Sequence, residues 1–236
     1  MLSRSLETTK AAQEDIWTLQ KTALFGHLGA DTFDLLFRGQ PVALAAKDAM
    51  LCHWGAPAET CFIVLKGIVK VFRLNETGES ALLALHGPGR ALMLAEGLTG
   101  KPYSASVQAI SPARVMCLNV KILSELMAAD AKLAMALLAA AAGDLRRLIV
   151  HLEELKAMTG PARLATLILN LSEQRAGTAE ITLPYEKQLV ANWLGMTPES
   201  FSRAMGQLKD HGLSVRRDHL IIANAERLRS FALTGR

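Results

Sequence analysis

Three hydrophobic rhythms follow one another along this chain. Over residues 15–40 the apolar positions Ile16, Leu19, Leu24, Phe33, Leu36 and Phe37 recur irregularly at three to four residues, broken at Gly26 and Gly29, which predicts helix. From about residue 42 to 120 the period shortens. Apolar runs such as CFIVLKG, IVKVFRL, SALLALHG, SASVQAI and ARVMCLNV alternate with turn residues at 55–57, 75–78, 87–89 and 111–112. Strands at this spacing suit a sandwich or barrel. Lys70 and Arg73 beside Val69 and Val71 mark a half-exposed strand, and residues 75–78 a hairpin loop. The third rhythm runs through Leu138, Ala141, Leu145, Leu148, Leu152 and Leu155, with gaps of three and four in alternation. It predicts one long helix over residues 120–157 with an a/d seam that a second copy can cover. The same pattern also suits an amphipathic helix packed on its own domain.

Thr159, Gly160 and Pro161 end that helix, and Pro161 suits the first turn of another over residues 162–173. The chain therefore divides into a β-rich domain (1–119), a connecting helix (120–157) and a C-terminal module (158–236). In the module Pro184 can open a helix whose apolar face is Leu189, Val190 and Leu194. Ala191, followed four residues later by Gly195, has the spacing of a helix-turn-helix: the small residue lets the helices cross closely, and glycine accepts the positive φ of the turn. Thr197 is then a good N-cap, Pro198 the first helical residue, and Glu199 lies near the positive end of the helix dipole. Phe201, Met205 and Leu208 face inward, and Gly212 stops the helix. SVRRDHLIIAN reads as a two-stranded wing with Arg216, Arg217, Asp218 and His219 at its tip.

The outer face of the second helix offers Glu199, Ser202 and Arg203. Arginine can grip guanine O6 and N7, a carboxylate can accept from cytosine N4, and a serine can bond to a base edge. Glu199 and Arg203, four apart, also suit an intrahelical ion pair. Lys187, Thr197, Ser200, Lys209, Arg216 and Arg217 are candidates for phosphate contacts, which position a protein on DNA without reading it.

Composition sharpens this. Half of the 236 residues are hydrophobic and 20% are charged, which excludes a disordered chain. The net charge of +4 is too mild to name a partner, but its distribution is uneven. Residues 160–236 carry ten Lys and Arg against seven Asp and Glu, and residues 1–159 sixteen against fifteen. The excess lies on the module with the helix-turn-helix. Three widely spaced cysteines, Cys52, Cys61 and Cys117, make neither a disulfide framework nor a CxxC metal motif, and point to a reducing cytoplasm. The N-terminus lacks a signal-peptide core, and the apolar run at 133–142 is about half the ~20 residues a bilayer needs, so no membrane is expected. Residues 87–90, GPGR, are too short for a phosphate-binding loop, and with no nucleophile–base pair or metal cluster an enzyme is not expected.

Two stretches carry a resemblance to the CRP/FNR superfamily of bacterial transcription regulators, over about residues 20–230. Residues 51–80, with Gly55, Glu59, Gly67 and Gly78, look like the core of a cyclic-nucleotide-type effector domain. Glu199, Ser202 and Arg203 match the ExxSR pattern of the FNR-like branch. The resemblance implies an α+β chain: an N-terminal jelly-roll β-barrel effector domain, a long dimerisation helix and a C-terminal winged helix-turn-helix. It further implies a homodimer, a palindromic promoter site in double-stranded DNA with TTGAT-type half-sites, and RNA polymerase as a partner. A hinge at residues 157–161 would reposition the recognition helices.

The departures from the family pattern also point somewhere. Where cyclic-AMP binders carry an Arg-Ser pair, this chain has Tyr103 and Ser104, and the Gly-Glu position falls near Met93 and Leu94. No cyclic AMP is therefore expected, and with no N-terminal cysteines no iron–sulfur cluster. The helix-turn-helix is most similar to the nitric-oxide-responsive DNR and NnrR-type branch. That likeness implies haem b in an apolar pocket near Leu92, Met93, Leu94, Tyr103 and Ser104, with His27, His53 or His86 as axial ligand. Each histidine equally suits a surface or hydrogen-bonded role, and any other metal is left open. The alternative is a regulator of the same family without a small effector, controlled by its abundance or by oxidation of its cysteines.

Overall fold

The computed structural model describes residues 6–22, 25–26, 28–74, 80–173, 180–182, 187–216 and 219–235. The chain forms two compact units, Met1–Asp144 and Leu145–Arg236. The first contains β1 (Glu7–Thr9), α1 (Gln13–Gln20), α2 (Ala30–Phe37), β2 (Val42–Ala45), β3 (Met50–Cys52), β4 (Thr60–Lys66), β5 (Val69–Leu74), β6 (Ser80–His86), β7 (Ala91–Leu92), α3 (Leu94–Thr99), β8 (Ser106–Ala109), β9 (Ala113–Asn119) and α4 (Val120–Ala129). The hairpin expected at residues 75–78 lies outside the described residues.

The strands make two antiparallel sheets, ordered β1-β2-β9-β4-β7 and β3-β8-β5-β6. The first is covered on both faces, which explains why β4 and β9 read as unbroken apolar runs. Phe62, Val64, Val115 and Cys117 turn into the space between the sheets, where they meet Leu51, Val69, Val71 and Val107. Their neighbours Cys61, Ile63, Met116 and Leu118 turn the other way, onto a helical layer built from Leu19, Phe37, Leu123, Leu133 and Leu137. Each such side chain contributes about 1.5–3 kcal/mol of transfer free energy.

The helix expected over 120–157 is two helices, α4 and α5 (Ala131–Ala157), broken at Asp130. Asp130 takes an extended backbone (φ −125°, ψ 100°). Its carboxylate accepts from the Lys132 N–H at 2.9 Å and from the Thr32 hydroxyl at 2.7 Å, so it caps the second helix.

The second unit contains the last turns of α5, then α6 (Gly160–Glu173), β10 (Glu180–Thr182), α7 (Lys187–Trp193), α8 (Pro198–Lys209), β11 (Leu213–Arg216), β12 (His219–Ile222) and α9 (Ala225–Thr234). The wing has three strands, ordered β10-β12-β11, where two were expected. Its third strand pairs Ile181 with Leu220, from beyond the window that local alternation covers. Leu164, Ile168, Val190, Phe201, Leu208 and Phe231 form a core of their own. The boundary between the units falls inside α5, between Asp144 and Leu145. Among the described residues no helix is long and apolar enough to cross a membrane.

Candidate nucleic-acid interface

The turn between α7 and α8 is built as its sequence requires. Ala191 is fully buried, and its carbonyl accepts from the Met196 N–H at 2.9 Å. Gly195 has φ +64°, and a Cβ there would stand 3.1 Å from Leu155 Cδ2. Conformation and space both call for glycine. The Thr197 hydroxyl caps α8 by accepting from the Ser200 N–H at 3.2 Å. The opening of α7 expected at Pro184 lies outside the described residues.

Phe201, Ala204, Met205 and Leu208 pin α8 to the core, which leaves Glu199, Ser202 and Arg203 exposed together on the opposite side. Glu199 is held below its ordinary 4.5 by its own backbone N–H, the Thr197 hydroxyl and the charge of Arg203, so it is an ionised acceptor at neutral pH. Arg203 Nη2 donates to Ser200 Oγ at 3.2 Å, and the Thr197 hydroxyl also donates to Ser200 Oγ at 3.2 Å. The Thr197 and Ser200 hydroxyls are therefore engaged in the helix cap. Lys187 begins α7 and Lys209 ends α8, both exposed. They line one groove with Gln188, Ser202, Gly206 and Val215. Arg216 is the last residue of β11, and Arg217 lies outside the described residues.

Three side chains that local spacing did not single out hold this module to the end of α5. Arg163, in the first turn of α6, donates through Nε to the Leu194 carbonyl at 2.9 Å and through Nη1 to the Met158 carbonyl at 2.6 Å. His151 stacks on Trp193 with ring centroids 4.5 Å apart. The one available signal was a lone arginine in the apolar stretch PARLATLIL.

Of the expected dimer seam, Leu138, Leu145, Leu148 and Leu152 are each half or more exposed, and Ala141 is exposed with them. Leu155 departs from the seam: it is half-buried beneath the Gly195 turn.

In the β-domain the expected pocket residues divide between the core and the surface. Leu92, Met93 and Tyr103 are packed into the core between the sheets, Leu94 is half-buried and Ser104 is exposed. Tyr103 stands against Phe62 at 6.1 Å between ring centroids and donates its hydroxyl to the Thr60 carbonyl at 2.7 Å. A large aromatic side chain with a satisfied hydroxyl closes the space that a smaller residue would leave. His53 is exposed just after β3 and His86 is half-buried at the end of β6. These strands are the two edges of one sheet, separated by three strand spacings, about 14 Å. His27 lies outside the described residues. Among the described residues no three His, Cys, Asp or Glu side chains converge as a metal site. His53 and His86 therefore do not share one site.

Comparison with known proteins follows this division. Residues 44–130 match the cyclic nucleotide-binding domain family, and residues 162–231 the Crp-like helix-turn-helix domain family. The nitrogen fixation regulation protein FixK of Azorhizobium caulinodans is 31% identical over 72% of this chain and 69% of its own length. The solved structure of FixK2 from Bradyrhizobium japonicum is similar with a TM-score of 0.70 and 27% identity, covering 80% of this chain and 95% of that one. DNR from Pseudomonas aeruginosa shows 27% identity and a TM-score of 0.53, covering 94% of this chain and 100% of that one. Likeness on this scale is shared by FixK2 and DNR and does not single out the nitric-oxide-responsive branch.

Proposed function

This chain belongs to the CRP/FNR family of transcription regulators, and on that premise we propose that it acts as a homodimer reading a two-fold palindrome of TTGAT-type half-sites. It is a DNA-binding transcription regulator and not an enzyme. The observation that carries the finer reading is the face of α8. Glu199, Ser202 and Arg203 stand exposed together at the start of a helix whose other side is core. Such a helix enters the major groove with its N-terminal residues against base edges. Arg203 supplies a bidentate donor for guanine, and ionised Glu199 an acceptor for cytosine N4. Lys187 and Lys209 supply phosphate contacts. A palindrome requires two such helices about 34 Å apart, related by a two-fold axis. The exposed leucines of α5 support pairing with a second copy, since one helix would otherwise hold Leu138, Leu145, Leu148 and Leu152 in water. A regulator of this kind acts on RNA polymerase as its downstream partner.

Tyr103 favours control without a cyclic nucleotide or haem. A cyclic phosphate needs a cation or a nest of amides, and this position presents a phenol bonded to the Thr60 carbonyl. The reading this favours is a regulator of the same family without a small effector, set by its abundance.

The test is fluorescence anisotropy with a duplex carrying the TTGAT palindrome and a scrambled duplex. Arg203→Ala should lose about 1–3 kcal/mol on the palindrome and relax preference at one base pair. Equal loss on both duplexes would remove base reading by Arg203. For the effector, protein mixed with haemin should give no Soret band that shifts on adding nitric oxide, and a stoichiometric shifting band would restore haem.

A further inference from the structure

Gly206 lies inside α8, where glycine is less favourable than any residue except proline. Packing among the described residues gives no reason for it. A Cβ built on Gly206 meets no atom of the described residues within 4 Å, whereas one on Gly160 would stand 2.8 Å from Met196 Cε. Its φ is that of ordinary helix, unlike Gly195 and Gly212, so no turn requires it either.

Its position does suggest a reason. Gly206 follows Ser202 by four residues and Arg203 by three, so it lies on their stripe, one turn further along the helix. It is part of the groove lined by Lys187, Gln188, Ser202, Lys209 and Val215. Bare helix backbone is thus exposed in a groove that carries two ammonium groups, next to the residues assigned to base reading. The occupant these features fit is anionic and close to the backbone.

We propose that Gly206 is a notch in the recognition helix that admits one sugar–phosphate of the bound DNA strand, with Lys187 and Lys209 holding the phosphate charge. The inference rests on α8 being the recognition helix. The missing Cβ lets the sugar–phosphate lie directly against the helix backbone, between the two ammonium groups. A methyl group here pushes the strand away without touching a base. Because the contact is to backbone, its loss is independent of sequence.

The test is Gly206→Ala in the full chain, measured by anisotropy on the palindromic and the scrambled duplex and by thermal unfolding. Binding should weaken about tenfold on both duplexes, the size of a modest overpacking penalty. The unfolding midpoint should rise by about 2–4 °C, because alanine is the better helix former in open space. Opposite signs in the two measurements separate a steric clash with DNA from damage to the fold. Lys187→Ala and Lys209→Ala should each reduce the slope of log affinity against log salt by about one. Native affinity in Gly206→Ala would overturn the proposal, as would a loss confined to one base pair. Arg203→Ala run in parallel keeps the two ideas apart. If it leaves palindrome binding intact, base reading by α8 fails, while a uniform loss in Gly206→Ala would still place the DNA backbone on this face.

Discussion

The Nε–H of Arg163 donates to the carbonyl oxygen of Leu194 at 2.9 Å, joining residues 31 positions apart. Its Nη1 donates to the carbonyls of Met158 at 2.6 Å and Leu155 at 3.4 Å. One guanidinium thus satisfies carbonyls left open at the end of α5 and fixes the turn before the recognition helix. Burial lowers the pKa of Arg163, opposed by the charge of Glu154, and the planar fork remains charged. The last turns of α5 and the helix-turn-helix are held as one piece.

Arg163→Ala should therefore destabilise the C-terminal unit by about 2–3 kcal/mol, the scale of hydrogen bonds to a charged donor. Arg163→Lys should restore only part of this, because one ammonium cannot serve carbonyls on two sides. Urea unfolding followed by Trp193 fluorescence reads both variants, and an unchanged midpoint in Arg163→Ala would remove the pin.

Leu148 is 53% exposed in the single chain, at the middle of the α5 seam. Leu148→Asp should shift the protein from dimer to monomer in sedimentation equilibrium and weaken palindrome binding with it. A native sedimentation profile would move the dimer contact elsewhere.

Asp15 contributes a pH-dependent element. Burial alone would raise its pKa, but the guanidinium of Arg114, with Nε donating at 3.0 Å, and the Ala12 N–H together hold it below the ordinary 3.8. A carboxyl depressed by folding stabilises the native state fully above its unfolded value and loses that contribution as pH falls through its folded value. Stability of the β-domain should drop as pH falls below about 3.8, and Asp15→Asn should flatten that limb. Urea midpoints at pH 3 to 6 make the comparison, and identical curves would show that another carboxylate governs it.

The three thiols should be inert in the native protein. Cys52, Cys61 and Cys117 are buried, and burial pushes each up to about 12, which keeps the nucleophilic thiolate scarce at neutral pH. Ellman's reagent at pH 8 should label none of them before unfolding and all three in guanidinium. Rapid labelling of any one in the folded protein would revive control by cysteine oxidation.

The recognition module was legible from local sequence to within a few residues. Ala191 and Gly195, the Thr197 cap and the inward set Phe201, Met205 and Leu208 act within single helices or one tight turn, so their spacing carries the answer. The exposed leucine stripe of α5 was readable for the same reason as far as Leu152. Local spacing did not show α9, whose Leu228, Phe231 and Ala232 are buried against a core assembled from distant segments. It also ran α4 and α5 together, because Asp130 breaks the helix through a bond to Thr32, 98 residues away.

By itself, then, the sequence determined the helix-turn-helix and its cap, which helix carries Glu199, Ser202 and Arg203, and that the charge excess lies beside them. Those properties depend on neighbours within one or two turns of chain. Only the tertiary structure decided that Tyr103 is packed into the interior of the β-domain, that Arg163 closes the end of α5 onto the turn, and that the space beside Gly206 is open. Each depends on what long-range packing brings to, or keeps away from, a side chain, and residue spacing does not encode that.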